Sequence, residues 1–300
     1  MAVKTPGSLA GLQIVKETNY GVTPTSSFIY GGRMRTLEMT HDPHPEEMES
    51  DKSRERGDVI FTAEDFGFSA ELSIFREGSV YKWTELFELT LGSLNGPTDD
   101  IPSFSTVLQV AKDQYFLAKG CKMNSLELSA SKVGSQMYAN IDVISMLITN
   151  AKGTLGELGT LGTPAVKPSE PPITYARYPT CNLPNMATIP ARSWNLKINN
   201  NLERKEGFVD QKALTAGVGS IPGEAISIEL TMDILSTSSF WDNLKLNLTK
   251  GFNVTLYVHN RPVELIDCYL PSNDLPSRSH TPYDETITIR ARSIKVGSAV

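Results

Sequence analysis

The chain has little cysteine: three in 300 residues, Cys121, Cys181 and Cys268, far apart and with no CxxC pair. That excludes a disulfide framework, and three reduced thiols are expected. No apolar run approaches the ~18 residues that a membrane-crossing helix needs. A basic n-region followed by an apolar h-region is also missing, so no signal peptide is expected. Basic residues are not in excess. The formal net charge is −6, which argues against a surface that coats DNA. It does not argue against DNA passing nearby without being held. Aromatic residues do not interleave with basic clusters, so a base-stacking platform is not supported.

Catalytic motifs are equally scarce. No Ser, Cys or Thr stands in a nucleophile elbow. The glycines of residues 153–162 lack the Lys-Ser/Thr and the following helix of a phosphate loop. His41-x-x-His44 with Asp42, Glu46 and Glu47 could hold a metal, but the spacing is not a recognised catalytic one. A solvated loop is the preferred reading. No enzyme activity, cofactor or metal is expected.

What is present is a repeat. Residues 69–92, SAELSIFREGSVYKWTELFELTLG, match residues 227–250, SIELTMDILSTSSFWDNLKLNLTK, at Ser69/Ser227, Glu71/Glu229, Leu72/Leu230, Trp83/Trp241 and Leu86/Leu244. Each copy opens on strand alternation: Phe68, Ala70, Leu72 and Ile74, then Ile226, Ile228, Leu230, Met232 and Ile234. Each continues into a Trp-bearing segment with apolar residues at helical spacing. Trp83 and Trp241 are expected to anchor those helices in the core. Upstream, Arg33-x-x-x-Leu37-x-Met39 answers Arg192-x-x-x-Leu196-x-Ile198. Downstream, Gly120-Cys121 answers Asp267-Cys268. Three such matches in one order indicate duplication.

The expected fold is mainly β, of α+β type: two duplicated antiparallel β-sandwich or barrel domains, each with one flanking α-helix. Residues 1–150 form the first and 187–300 the second. Residues 151–186 form a Gly/Pro-rich linker that begins flexible and ends stiff. In the first domain, Arg33–Thr40, Ile60–Ile74 and Val107–Phe116 read as strands. Met123–Lys132 and Met137–Thr149 read as a hairpin. The second has strands at Ser193–Asn199, Ala225–Ile234, Phe252–Val258, Val263–Leu270 and Asp284–Val296.

The most polar stretch is residues 41–58, HDPHPEEMESDKSRERGD. It has almost no apolar side chain to bury and is expected to be a solvated loop, ordered only by a partner. Residues 199–224, at the matching place in the second copy, are also long, Gly-rich and polar.

The opening Val15-Lys-Glu-Thr-Asn-Tyr-Gly-Val-Thr-Pro24 resembles the E-T-x-Y/F-G-x-x-P opening of many major tail proteins of long-tailed phages. The duplicated layout resembles tail-tube proteins in which one chain carries two tube folds. That resemblance implies a structural virion protein, made in the host cytoplasm and assembled into the tail. Copies would join sheets edge to edge into rings, as trimers with pseudo-six-fold symmetry rather than hexamers. The rings would stack into a tube beside the tape-measure and other tail proteins, with no membrane partner. Genomic DNA would pass through without specific binding.

Stacking would fall to Asp42, Glu46, Glu47, Glu49, Asp51, Lys52, Arg54, Glu55 and Arg56. With Leu72, Leu128 and Leu230 facing the core, alternation turns Glu71, Glu127, Glu229 and Asp233 the other way, joined by Asp142. These are candidates for the lumen wall. The alternative is a solvated outer face, with Lys197, Arg290 and Arg292 diluting the acidity. At the level of function, the alternative is a virion decoration protein or surface β-sandwich binding module.

Overall fold

A computed structural model describes residues 2–3, 11–47, 59–78, 81–111, 114–152, 159–183, 186–209, 212–220, 225–235, 251–271 and 284–298. It is mainly β, with antiparallel sheets and, among the described residues, one helix. No helix among them is long and apolar enough to cross a membrane.

The first half contains β1 (Ala2–Val3), β2 (Gly11–Lys16), β3 (Ile29–Glu47), β4 (Val59–Ser73), α1 (Thr84–Leu91), β5 (Phe104–Ala111), β6 (Gln114–Ala130), β7 (Met137–Ser145) and β8 (Leu147–Lys152). Antiparallel pairing runs from β3 to β2, β5, β6, β7, β4 and back to β3. The circuit closes into a barrel, which leaves few free strand edges. The alternating sequence dictates which side faces in: Met137, Ala139, Ile141 and Val143 of β7 are all buried. Gly120 takes a left-handed φ of 59° inside β6. Before it β6 pairs with β8 and most of β5; beyond it, after Phe104↔Cys121, with β7 and the second half of the chain.

Trp83, 2% exposed, starts α1 and meets Phe87 edge-on at 5.7 Å. The helix ends at Gly92, whose left-handed φ of 82° lets its N–H donate to the Glu88 carbonyl at 2.8 Å. Leu86, Phe87, Leu89 and Leu91 pack inward.

The second half contains β9 (Thr180–Leu183), β10 (Met186–Thr188), β11 (Ala191–Asn199), β12 (Leu202–Val209), β13 (Lys212–Ser220), β14 (Ser227–Leu235), β15 (Phe252–Val258), β16 (Arg261–Cys268), β17 (Asp284–Ala291) and β18 (Ser293–Val296). β11, β14 and β17 form one layer; β10, β9, β15, β16 and β18 form the other. Pairings of the first half recur here. β15–β16 is a hairpin like β5–β6, and β18 lies on β16 as β8 lies on β6. Asp267, φ 52°, occupies the place of Gly120.

Several sequence expectations differ from the structure. Residues 41–47 are not loop: they extend β3, paired with β4 as far as Glu47↔Val59. Backbone ladder pairing needs no apolar side chain, so composition alone misread this segment. The same holds for residues 202–220, expected to be loop, which form β12 and β13. Val107–Phe116 is not one strand but the end of β5 and the start of β6, with Ala111↔Gln114 paired across a two-residue connection.

Within residues 151–186, residues 159–183 are described, and they are bound to the barrel. Phe28 N–H donates to Thr163 O, Ala165 N–H to Gln13 Oε1, and Ile173 N–H to Ile74 O. Tyr175 is fully buried and donates to Ala191 O. The second helix with Trp241, and Glu49, Asp51, Lys52, Arg54, Glu55 and Arg56, lie outside the described residues.

Candidate assembly and channel surface

The two halves meet strand to strand. β6 pairs with β11 from Ser125↔Asn199 to Ala130↔Trp194, antiparallel and without a register break. One sheet therefore runs β3–β4–β7–β6–β11–β14–β17 across both halves. Asn200, 7% exposed, seals the end of the seam. Its side-chain amide donates to Thr90 O and Met123 O, both at 2.8 Å, and its N–H donates to Asn124 O. Asn201 turns the chain with a φ of 49°, a conformation Asn tolerates better than most residues.

Register sorts the side chains of this sheet into rows. Leu37, Ala70, Ile141, Leu126, Ile198, Ile228 and Ala291 stand in one row, all buried. On the opposite face the next row is Thr36, Glu71, Asn140, Glu127, Lys197, Glu229 and Arg290. A second polar row holds Glu38, Ser69, Asp142, Ser125, Asn199 and Ser227. Asp233 stands two rows beyond Glu229 along β14, opposite Ser193 and Thr286. The structure thus gathers Glu71, Glu127, Asp142, Glu229 and Asp233 on one face.

That face is not a bare acidic wall. Glu71 pairs with Arg35 at 2.6 Å and Glu229 with Arg290 at 3.3 Å. Glu127 accepts from Asn195 at 2.6 Å, and Asp142 from Asn124 at 2.8 Å. Asp233 accepts from the hydroxyls of Ser193 and Thr286, which hold its carboxyl below the usual range. The Arg35 guanidinium also lies 4.3 Å from the Tyr138 ring centre. Fixed hydrogen bonds and ion pairs hold these carboxylates in place.

The two polar hairpins lie side by side. β13 runs parallel to β4 at Ala213↔Ala63 and Leu214↔Glu64, just beyond the end of β7. Arg204 of β12 binds Asp65 at 2.7 Å and donates to Phe66 O at 2.9 Å. Asp42, Glu46 and Glu47 lie on the β3 arm of the first hairpin. The His41 ring stacks on Phe66, with ring centres 4.8 Å apart.

The opening motif makes a knot at the barrel end. Glu17 accepts from Gly21 N–H at 2.8 Å, Gly120 N–H at 2.9 Å and Ser105 Oγ at 2.6 Å. Ser105 also bonds Thr23 Oγ1 at 2.9 Å. Tyr20 lies over Gly120, and burial pushes the ionisation of its hydroxyl well above the ordinary value. Glu17, Tyr20, Gly21 and Thr23 of the motif thus join the β2 turn to the kink of β6.

A family model for phage tail tube proteins matches residues 7–264. The chain belongs to the phage tail tube protein family. It is a structural component of a phage tail, in a family of tube proteins rather than of enzymes. No curated protein gives a match. For a tail tube protein, a sheet with one sealed apolar face and one polar face is the element that matters, because tube formation requires self-association.

Proposed function

We propose that this protein assembles with copies of itself into stacked rings whose channel conducts the phage genome. Each chain supplies two tube units that arose by duplication, and three chains close a ring with pseudo-six-fold symmetry. The observation that carries this reading is the β6–β11 seam. It joins two similarly ordered β units edge to edge within one chain, and the same joint repeated between chains would close a sheet around a bore and remove its edges.

The polar face of that sheet lines the channel. Glu38, Glu71, Glu127, Asp142, Glu229 and Asp233 outnumber Arg35, Lys197 and Arg290, so the wall stays acidic overall and repels phosphate. Residues 41–58 and 202–220 contact the next ring. Tape-measure and other tail proteins are the further partners, and synthesis takes place in the host cytoplasm.

Native mass spectrometry and image symmetry of assembled tubes test the ring. Three chains per ring with two alternating densities are expected. Rings of six whole chains would refute it.

A further inference from the structure

The outer edge of β3 matches the edge of β11 that receives β6, and it is already occupied. We propose that this edge is the docking site for a second copy of the chain, and that β1 guards it until that copy displaces it. The inference rests on the ring reading above.

Three observations meet here. Arg33-x-x-x-Leu37 aligns with Arg192-x-x-x-Leu196, so Leu37 stands for Leu196 and Glu38 for Lys197. In the seam, Leu196 pairs with Leu128 and Lys197 with Glu127. On β3, Leu37 pairs with Val3 and Glu38 with Ala2, also antiparallel and on the edge away from β4. β1 thus takes the positions that β6 takes at the seam. A two-residue strand is a weak occupant, because each added ladder pair contributes only about 1 kcal/mol net. The seam has six registered pairs, Trp194↔Ala130 through Asn199↔Ser125, so a strand of that length outcompetes β1. Until then β1 shields an edge that would template misassociation.

The test is a tether. Ala2→Cys with Glu38→Cys places thiols on facing strands, to be joined by a disulfide or a short bismaleimide. The native cysteines are buried or half-buried, and wild type treated identically is the control. Expected results are that the tether forms in the free subunit, that tethered protein forms no rings, and that reducing the disulfide restores assembly. A second variant, Ala2→Gly with Val3→Gly, weakens β1 and should assemble faster than wild type. Failure of either linkage to form would overturn the placement of β1 as a guard. Normal rings from tethered protein would overturn the guard while leaving the ring reading intact. Absence of rings from untreated wild type would overturn the ring reading itself.

Discussion

Glu17→Ala should be the most damaging single change outside the apolar core. The Glu17 carboxylate accepts three hydrogen bonds, from Gly21 N–H, Gly120 N–H and the Ser105 hydroxyl. A hydrogen bond to a charged group contributes about 1.5–3 kcal/mol. Glu17 is half-buried, so water recovers part of the loss, and the three bonds share one acceptor and are not additive. Glu17→Ala is therefore expected to cost about 3–4 kcal/mol. Glu17→Gln keeps one acceptor oxygen but turns an NH2 towards a donor, and should cost about half as much.

The assay is urea unfolding of the free subunit, compared through the midpoint at constant slope. A double-mutant cycle with Ser105→Ala isolates the Glu17–Ser105 pair, and a coupling of about 1 kcal/mol is expected. Gly120→Ala probes the other side of the knot. Its Cβ would meet Met146 Cβ at 2.7 Å and the Tyr20 ring at 3.0 Å, in a backbone with φ 59°, so a loss of about 2 kcal/mol or more is expected. If Glu17→Ala lost less than about 1 kcal/mol, the knot would not hold the barrel end and the reasoning would fail.

Trp83→Ala should cost about 3–5 kcal/mol, as large buried aromatics do; a loss well below about 1 kcal/mol in the same unfolding assay would place the side chain elsewhere. Glu71→Lys with Glu229→Lys should leave assembly intact and make tubes bind added DNA in a salt-dependent way. Unchanged DNA association would remove these carboxylates from the channel wall. Deleting residues 43–56 should leave a folded subunit yet stop polymerisation as followed by electron microscopy. Normal tubes would exclude the hairpin from stacking.

The sequence by itself determined the β class, the strand periodicity, the buried residues of the alternating runs and the helix behind Trp83. Period-two alternation is a local property, and the hydrophobic effect converts it directly into an inner and an outer face. The same alternation put Glu71, Glu127, Asp142, Glu229 and Asp233 opposite the core residues, and register then set them on one surface. It also put Lys197 and Arg290 on that face, but which cation meets which carboxylate could not be read that way. Arg35 and Arg290 neutralise part of that face because they stand across strands from Glu71 and Glu229, and strand order is not local.

The polar hairpins were misread for a related reason. Residues 41–47 and 202–220 hold together through backbone ladders, which composition does not record. Tertiary structure alone decided the β6–β11 seam, the β1 contact on β3, and the Ser105 and Gly120 donors on Glu17. Each depends on residues far apart in the chain meeting at one register. A one-residue shift in that register would leave the composition unchanged and turn every side chain to the wrong face.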